Sequence, residues 1–420
     1  MGLSWCGTRM ARRSGIRSIL QDSAAAASAA PGERWLNLGV GNPALIPEAI
    51  TMWRRLTENA LASSFVAASC QYGPSRGSDR LVNALADYFN RKYSWGVTGK
   101  NIVVGSGSQM LCFAAAALFA GPSPGGLKRI VLPFIPDYAG YHNLSLSADG
   151  VVGISRKVEF RDGRYFRYAM DYDALRLQPD IGLIILSSPC NPTGGGADAN
   201  DVDALISIAE EQDCVVLIDH AYGAPFPQVA EALAPPVWHK NVINCFSISK
   251  AGLPGERIGF AIGAEHHVDA MVSFMANSAL HAPQLPQVVL ARALETGEID
   301  YLAESVIRPY YSVKRSVAEK LLFENLPESV DWRLHTSQGG MFCWLWIRDS
   351  WFDDNSLYLL LKRKRVIIVP GRHFFVDPRR AEAHDTHCFR ISIAGDEAAT
   401  EEGIRRIAEG LEDLRCGYGR

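Results

Sequence analysis

Lys250 stands in the most suggestive chemical setting in the chain. It closes Ser247-Ile248-Ser249-Lys250 and is followed by Arg257. The apolar run 242–246 predicts a buried strand, 257–263 predicts another, and the turn between them is rich in Gly and Pro. A lysine at a strand's end, with hydroxyls before it and a guanidinium after it, suits an amine that attacks a carbonyl beside an anion. Burial and a nearby cation would lower its pKa for that task, and the hydroxyls and arginine suit a phosphate. The plainer alternative is an exposed turn lysine after a strand.

A second anion-binding pattern lies at Val104-Gly105-Ser106-Gly107-Ser108-Gln109, before an apolar helix predicted over 110–120. Strand, Gly/Ser loop and helix N-terminus together present free N–H groups and a positive dipole end. The stretch is neither a Walker loop, which needs Gly-Lys-Ser/Thr, nor the dinucleotide fingerprint, which needs a third glycine. A tight strand-to-helix turn is its alternative reading. Four further groups have polar side chains or an open turn at an element's end: Asp137-Tyr138, Asn191-Pro192-Thr193-Gly194, Asp219-His220-Ala221-Tyr222, and the turn Gly39-Val40-Gly41-Asn42. Arg390 sits inside a predicted strand, 387–393. Singly, Asp219 could cap a helix, Tyr138 could be a core aromatic and Arg390 a surface pair. Most of the set, however, falls at the C-terminal ends of strands alternating with helices, where open α/β sheets bind ligands.

The elements that must position these groups are short apolar strands at 129–134, 150–154, 181–186, 215–218 and 242–246, with helices at 47–61, 81–93, 110–120 and 202–211 between or before them. This is an α/β pattern: a mostly parallel sheet flanked by helices. Beyond about residue 285 the pattern changes to a helical stretch 287–322, strand-turn-strand over 332–346, a helix 357–365, strands 366–369 and 387–393, and a closing helix 401–414. That predicts a smaller α+β unit. The expected division is an N-terminal arm 1–45 joining the smaller unit, a large unit 46–285 and a small unit 286–420.

The 420 residues suffice for two units, and 48% hydrophobic with 21% charged residues is ordinary for a globular protein. A net charge of -3 gives no footprint for nucleic acid, and no apolar run is long enough to span a membrane. The 9 cysteines are scattered without metal-ligand spacing, so no metal is expected and a reducing, cytoplasmic setting is. The start of the chain carries Arg9, Arg12, Arg13 and Arg17 but lacks the apolar core of a signal peptide.

Taken in order, Asn191-Pro192-Thr193-Gly194, Asp219-x-x-Tyr222, Ser247-x-Ser249-Lys250, Arg257 and Arg390 resemble the class I/II aminotransferases of fold type I, which use pyridoxal 5'-phosphate. The resemblance spans nearly the whole chain. It implies that Lys250 holds the cofactor and moves the Cα proton, that Asp219 pairs with the pyridine nitrogen, and that Tyr222 and Asn191 bond the phenolic oxygen. It further implies that Tyr138 stacks on the ring and that Gly107, Ser108, Gln109, Ser247, Ser249 and Arg257 cup the phosphate. Arg390, with Asn191 and the Gly41 backbone, would take the substrate carboxylate. Tyr72 would reach the phosphate of a neighbouring subunit, which implies a homodimer with shared sites. His220 and Cys190 are read as packing and turn residues.

Gly41-Asn42-Pro43-Ala44, the run from Asp219 to Pro227, Ser249 to Gly255, Phe342 to Trp346, Val369-Pro370-Gly371 and Arg13-Ser14-Gly15-Ile16 resemble the branch of the family that exchanges nitrogen between valine-type amino acids and pyruvate. An apolar rim of Ile16, Val40, Leu45, Tyr138 and Phe342 is expected, with Arg372, His281 or His373 as polar groups able to enter it. The same scaffold also serves elimination, cyclisation or replacement chemistry, which the motifs do not separate from amino transfer. A regulator's effector domain would need a DNA-binding domain ahead of residue 35, and too few residues precede that point.

Overall fold

The computed structural model describes residues 2–11, 19, 21–24, 35–231, 233–337, 339–376 and 382–418, with only the backbone of Tyr418. Its main sheet has 8 strands. Across it run Ile102–Gly105, Gly259–Ile262, Val242–Ser247, Val215–Asp219, Ile181–Ser187 and Gly126–Ile135, the last pairing also with Gly121–Ser123 and Val151–Ser155. Gly259–Ile262 runs antiparallel to both neighbours and Gly121–Ser123 antiparallel to its partner; the others are parallel. Every residue of Ile181–Ser187, Val215–Asp219 and Val242–Ser247 is buried, as expected of parallel strands covered on both faces.

Register brings the chemical groups into line. Ser187 and Cys245 both pair with Asp219, while Ser247 pairs with Gly259, which pairs with Gly105 on its other side. The loops at 106–107, 136–141, 188–195, 220–222 and 248–257 therefore leave one edge of the sheet together. The helix Ser108–Phe119 starts at that edge.

A second sheet of 6 strands is ordered Val369–Pro370, Cys388–Ser392, Phe342–Ile347, Trp332–His335, Tyr165–Ala169 and Lys157–Phe160. The hairpin Lys157–Phe160 with Tyr165–Ala169 lies in the sequence range expected for the large unit, yet Tyr165–Ala169 pairs with Trp332–His335. Leu36–Asn37 pairs in parallel with Val366–Ile367, and the Ser392 N–H donates to the Leu38 carbonyl at 2.6 Å. These bonds tie residues 36–38 to Val366–Ile367 and to Ser392 of the second sheet. A single apolar cluster runs from Ala114, Ile185 and Leu217 to Trp344 and Phe389, so the two sheets share a core beneath the site.

Candidate active site

Between the sheets lies a cavity of roughly 650 Å³ whose lining includes Lys250, Asp219, Tyr222, Asn191, Arg390 and Arg257. Lys250 stands on the short turn Ser249–Ala251 that ends the strand Val242–Ser247. Its Nζ donates to the Gly41 carbonyl at 2.6 Å and lies 5.6 Å from the centre of the Tyr222 ring. Burial, then the positive charges of Arg390 and Arg257, lower its pKa to about 8 against the opposing pull of Asp219. At pH 7 roughly a tenth of such an amine is neutral, several hundredfold more than for an exposed lysine.

The lysine's neighbours form an anion cup. The Ser247 hydroxyl donates to Ser249 Oγ at 2.9 Å and accepts from the Ser249 N–H at 3.1 Å. Arg257 has a left-handed backbone and reaches Ser249 Oγ and the Ser106 carbonyl, both at 3.4 Å. Its guanidinium lies over Gly107, where a Cβ would fall 2.5 Å from Nη2. Gly107 caps Ser108–Phe119 with φ 84° and ψ 163°, and no side chain caps that helix. Its first N–H groups are thus free for a ligand. Gln109 donates Nε2 to the Gly140 carbonyl at 3.2 Å and leaves Oε1 buried without a partner among the described residues.

Asp219 ends the strand Val215–Asp219 with its carboxylate in the cavity wall. It accepts from the Tyr141 hydroxyl at 3.0 Å and the Ala221 N–H at 3.1 Å. Burial pushes its carboxyl up to about 6, while these donors pull it down. The next residue, His220, is buried, bonded to Asn244 Oδ1 at 2.9 Å and stacked on Phe246, and burial lowers it to about 4. It is a neutral packing residue.

The third group closes the site from the second sheet. Arg390, 4% exposed, donates Nη1 to Asn191 Oδ1 at 2.7 Å and Nη2 to the Gly39 carbonyl at 2.8 Å. Its guanidinium carbon lies 4.1 Å from the centre of the Phe342 ring and 5.2 Å from that of Phe374. Its Nε is buried with no partner among the described residues. Burial lowers its pKa to about 10, so it remains a cation at neutral pH. Asn191 turns its Nδ2 to the Tyr222 hydroxyl at 3.3 Å, and burial raises the Tyr222 pKa.

Some expected residues stand elsewhere. Leu45 is 84% exposed and outside the cavity, because residues 44–46 turn away to begin the helix Pro47–Ser69. Ile16 lies outside the described residues. Arg372 cannot swing inward: its N–H and Nε bond Asp354 at 2.8 and 2.5 Å, and Nη2 pairs with Asp353. His281 and His373 do not line the cavity. Tyr72 is 86% exposed, with the edge of His281 as its aromatic neighbour, and does not touch this chain's cavity. Cys190 is a buried turn residue beside Asp137. Sequence reading assigned no role to Tyr141, to Ser187, or to Phe374, Ile19 and Ser23 in the cavity wall. Tyr141 follows Tyr138 by one turn of the same loop, which was the only available signal.

The arrangement fits pyridoxal 5'-phosphate. The uncapped helix start and the glycine under Arg257 leave room and donors for a phosphate. Lys250 offers a depressed amine, and the unpaired Arg390 Nε a donor for a carboxylate. Among the described residues no cluster of His, Cys, Asp and Glu could hold a metal, and no helix is long and apolar enough to cross a membrane.

Comparison with known proteins agrees with this geometry. Residues 33–407 match the family model for aminotransferase class I and II. The chain is 30% identical over 414 residues to the valine–pyruvate aminotransferase of Escherichia coli K12, covering 98% of each. A putative amino-acid aminotransferase from Psychrobacter arcticum superposes with a TM-score of 0.93 at 30% identity, covering 99% of both chains. The valine–pyruvate aminotransferase of Salmonella typhimurium LT2 gives 0.86 at 29% identity, covering 96% of this chain and 100% of that one. The chain belongs to the class I and II aminotransferases, the pyridoxal-phosphate-dependent family of fold type I.

Proposed function

We propose that this chain, with pyridoxal 5'-phosphate bound, moves an amino group between an aliphatic L-amino acid of the valine or alanine type and a 2-oxo acid such as pyruvate. The observation carrying the reading is the single cavity in which a lysine of lowered pKa, a buried aspartate and an arginine with a spare buried N–H face one another. The cofactor supplies a carbonyl to take up the amino group and a ring that withdraws electrons from Cα. Lys250, neutral in part at physiological pH, holds the cofactor and carries the proton to and from Cα. Asp219 keeps a negative charge against the ring nitrogen, aided by Tyr141 and the Ala221 N–H. Tyr222 and Asn191 hold the ring's phenolic oxygen, and Tyr138 covers the ring face. Gly107, Ser108, Gln109, Ser247, Ser249 and Arg257 hold the phosphate. Arg390 orients the α-carboxylate, with Asn191 and the backbone at Gly41 beside it.

Substrate choice follows from what remains. Arg257 and Arg390 are the arginines among the described cavity residues, and both have assignments. The rest of the wall is mostly apolar or small, with Ile19, Val40, Tyr138, Val369 and Phe374, and its further polar groups include the uncharged amides Asn37 and Asn42. Burying a methylene there gains roughly 0.8 kcal/mol, whereas a second carboxylate without a partner costs several kcal/mol. The name of the Escherichia coli relative supports the same class. A homodimer in the cytoplasm, with Tyr72 serving the partner's site, completes the proposal. The sheets also suggest a small unit that takes in 157–169 as well as the arm and the C-terminal part.

The test is kcat/KM over a panel of amino donors with pyruvate fixed, reading both new amino acid and ammonia. Alanine, valine or 2-aminobutyrate should lead. A tenfold lead by aspartate or glutamate would sink the aliphatic reading, and ammonia without a new amino acid would replace transfer by elimination.

A further inference from the structure

Asp137 is a fully buried carboxylate that no step above uses. It lies where the strand Gly126–Ile135 leaves the sheet, and four donors converge on it. The Tyr138 N–H reaches Oδ1 at 2.6 Å, the Ser187 N–H reaches Oδ2 at 3.1 Å, the Ser187 hydroxyl bonds Oδ1, and the Cys190 thiol lies 3.6 Å from it. Every neighbour donates, so the site calls for a group that only accepts. An amide would turn an NH2 against an N–H or O–H. Burial raises the carboxyl to about 7 even with these donors pulling it down.

What these bonds hold is the site itself. Because the Ser187 hydroxyl spends its hydrogen on Asp137, its lone pair is left facing the Asn191 N–H at 3.3 Å. Asn191 in turn holds Arg390 at 2.7 Å and Tyr222 at 3.3 Å. On its other side Asp137 fixes the backbone of Tyr138, and its own N–H donates to the Phe374 carbonyl at 3.1 Å, tying in the loop whose ring lies beside Arg390. The anion cup at 107–109 and 247–257 hangs on other strands and shares none of these bonds.

We propose that Asp137 is a positioning residue for carboxylate recognition. Acting through the Ser187 hydroxyl, it sets where Asn191 and Arg390 stand, and it does so without touching substrate or cofactor. This rests on the amino-transfer reading for its biological meaning but not for its test. The probe is isovalerate, a carboxylate with no amino group to transfer, titrated calorimetrically into the cofactor-loaded protein. Asp137→Asn and Ser187→Ala should each weaken isovalerate at least tenfold and raise the amino-donor KM more than they lower kcat. Cofactor affinity should fall clearly less than isovalerate affinity, because Asn191 and Tyr138 also meet the ring but the anion cup shares none of these bonds. General loosening of the fold would not produce that split, and melting curves report it separately. In an Asn191→Ala background the Ser187→Ala effect should largely vanish, because both break one chain of bonds.

If Asp137→Asn does not fold, Ser187→Ala decides alone, since it keeps the carboxylate and its backbone bonds. Parental isovalerate affinity in a folded Ser187→Ala protein overturns the proposal, as does equal weakening of cofactor and isovalerate. A parent that binds isovalerate but transfers no amino group defeats the functional reading and leaves this one standing on the binding data.

Discussion

Replacing Gly107 by alanine tests the anion cup at its tightest point. The residue holds φ 84° and ψ 163°, a region essentially restricted to glycine, so a side chain there costs on the order of 1–3 kcal/mol in backbone strain. The new Cβ would also lie 2.5 Å from Arg257 Nη2 and 3.0 Å from its Cζ. The guanidinium is the mobile partner, because it is exposed and its hydrogen bonds to Ser249, Ser106 and the Pro254 carbonyl are long, at 3.4, 3.4 and 3.2 Å. It should therefore be pushed off the phosphate. Losing a hydrogen bond to a charged group costs roughly 1.5–3 kcal/mol, or about ten- to hundredfold in affinity. Titrating pyridoxal 5'-phosphate onto the cofactor-free protein should show that loss, together with a Tm lowered by a few degrees. Arg257→Ala should give a similar loss of affinity with little change in Tm. The double variant should lose less than the sum of the two, since with no guanidinium to displace the Cβ costs only strain. A folded Gly107→Ala protein that binds the cofactor as tightly as the parent, or losses that simply add, would refute the reasoning.

The pKa of Lys250 should answer to its cations. Burial is the largest cause of its lowering and Arg390 the next, so Arg390→Leu should raise the midpoint above about 8, and Lys250 should react more slowly with an amine reagent at pH 7. Peptide mass spectrometry of the cofactor-free protein across pH reads this, and an unchanged or lowered midpoint would contradict it. The exposed Tyr72 predicts sharing between subunits: mixing Tyr72→Phe with Lys250→Ala protein should give activity different from either parent alone. A fully active monomer in solution would remove that idea.

How far the sequence could be read depended on what each residue was surrounded by. Parallel strands buried on both faces read as unbroken apolar runs, so their polar ends marked Asp219, Asn191 and Lys250 as a set before any coordinates. The strands Lys157–Phe160 and Tyr165–Ala169 drew no assignment because they belong to an edge hairpin, where Lys157, Glu159, Arg161 and Arg167 interrupt the pattern. Local pattern could not bring Arg390 to Asn191, 199 positions away; that placement came from resemblance. Asp137 was quoted as part of a loop and passed over, since a carboxylate after proline ordinarily marks a turn and only the fold shows four donors closing on it. The helix expected to end at residue 61 continues to Ser69 through Ala62-Ser63-Ser64, leaving Leu61, Phe65 and Val66 at 43%, 49% and 65% exposure. Apolar side chains on one outward stretch near Tyr72 are costly to leave in water. A second subunit would cover them and receive Tyr72 in the same contact, so the proposed dimer would account for the extension of that helix and the exposed tyrosine together.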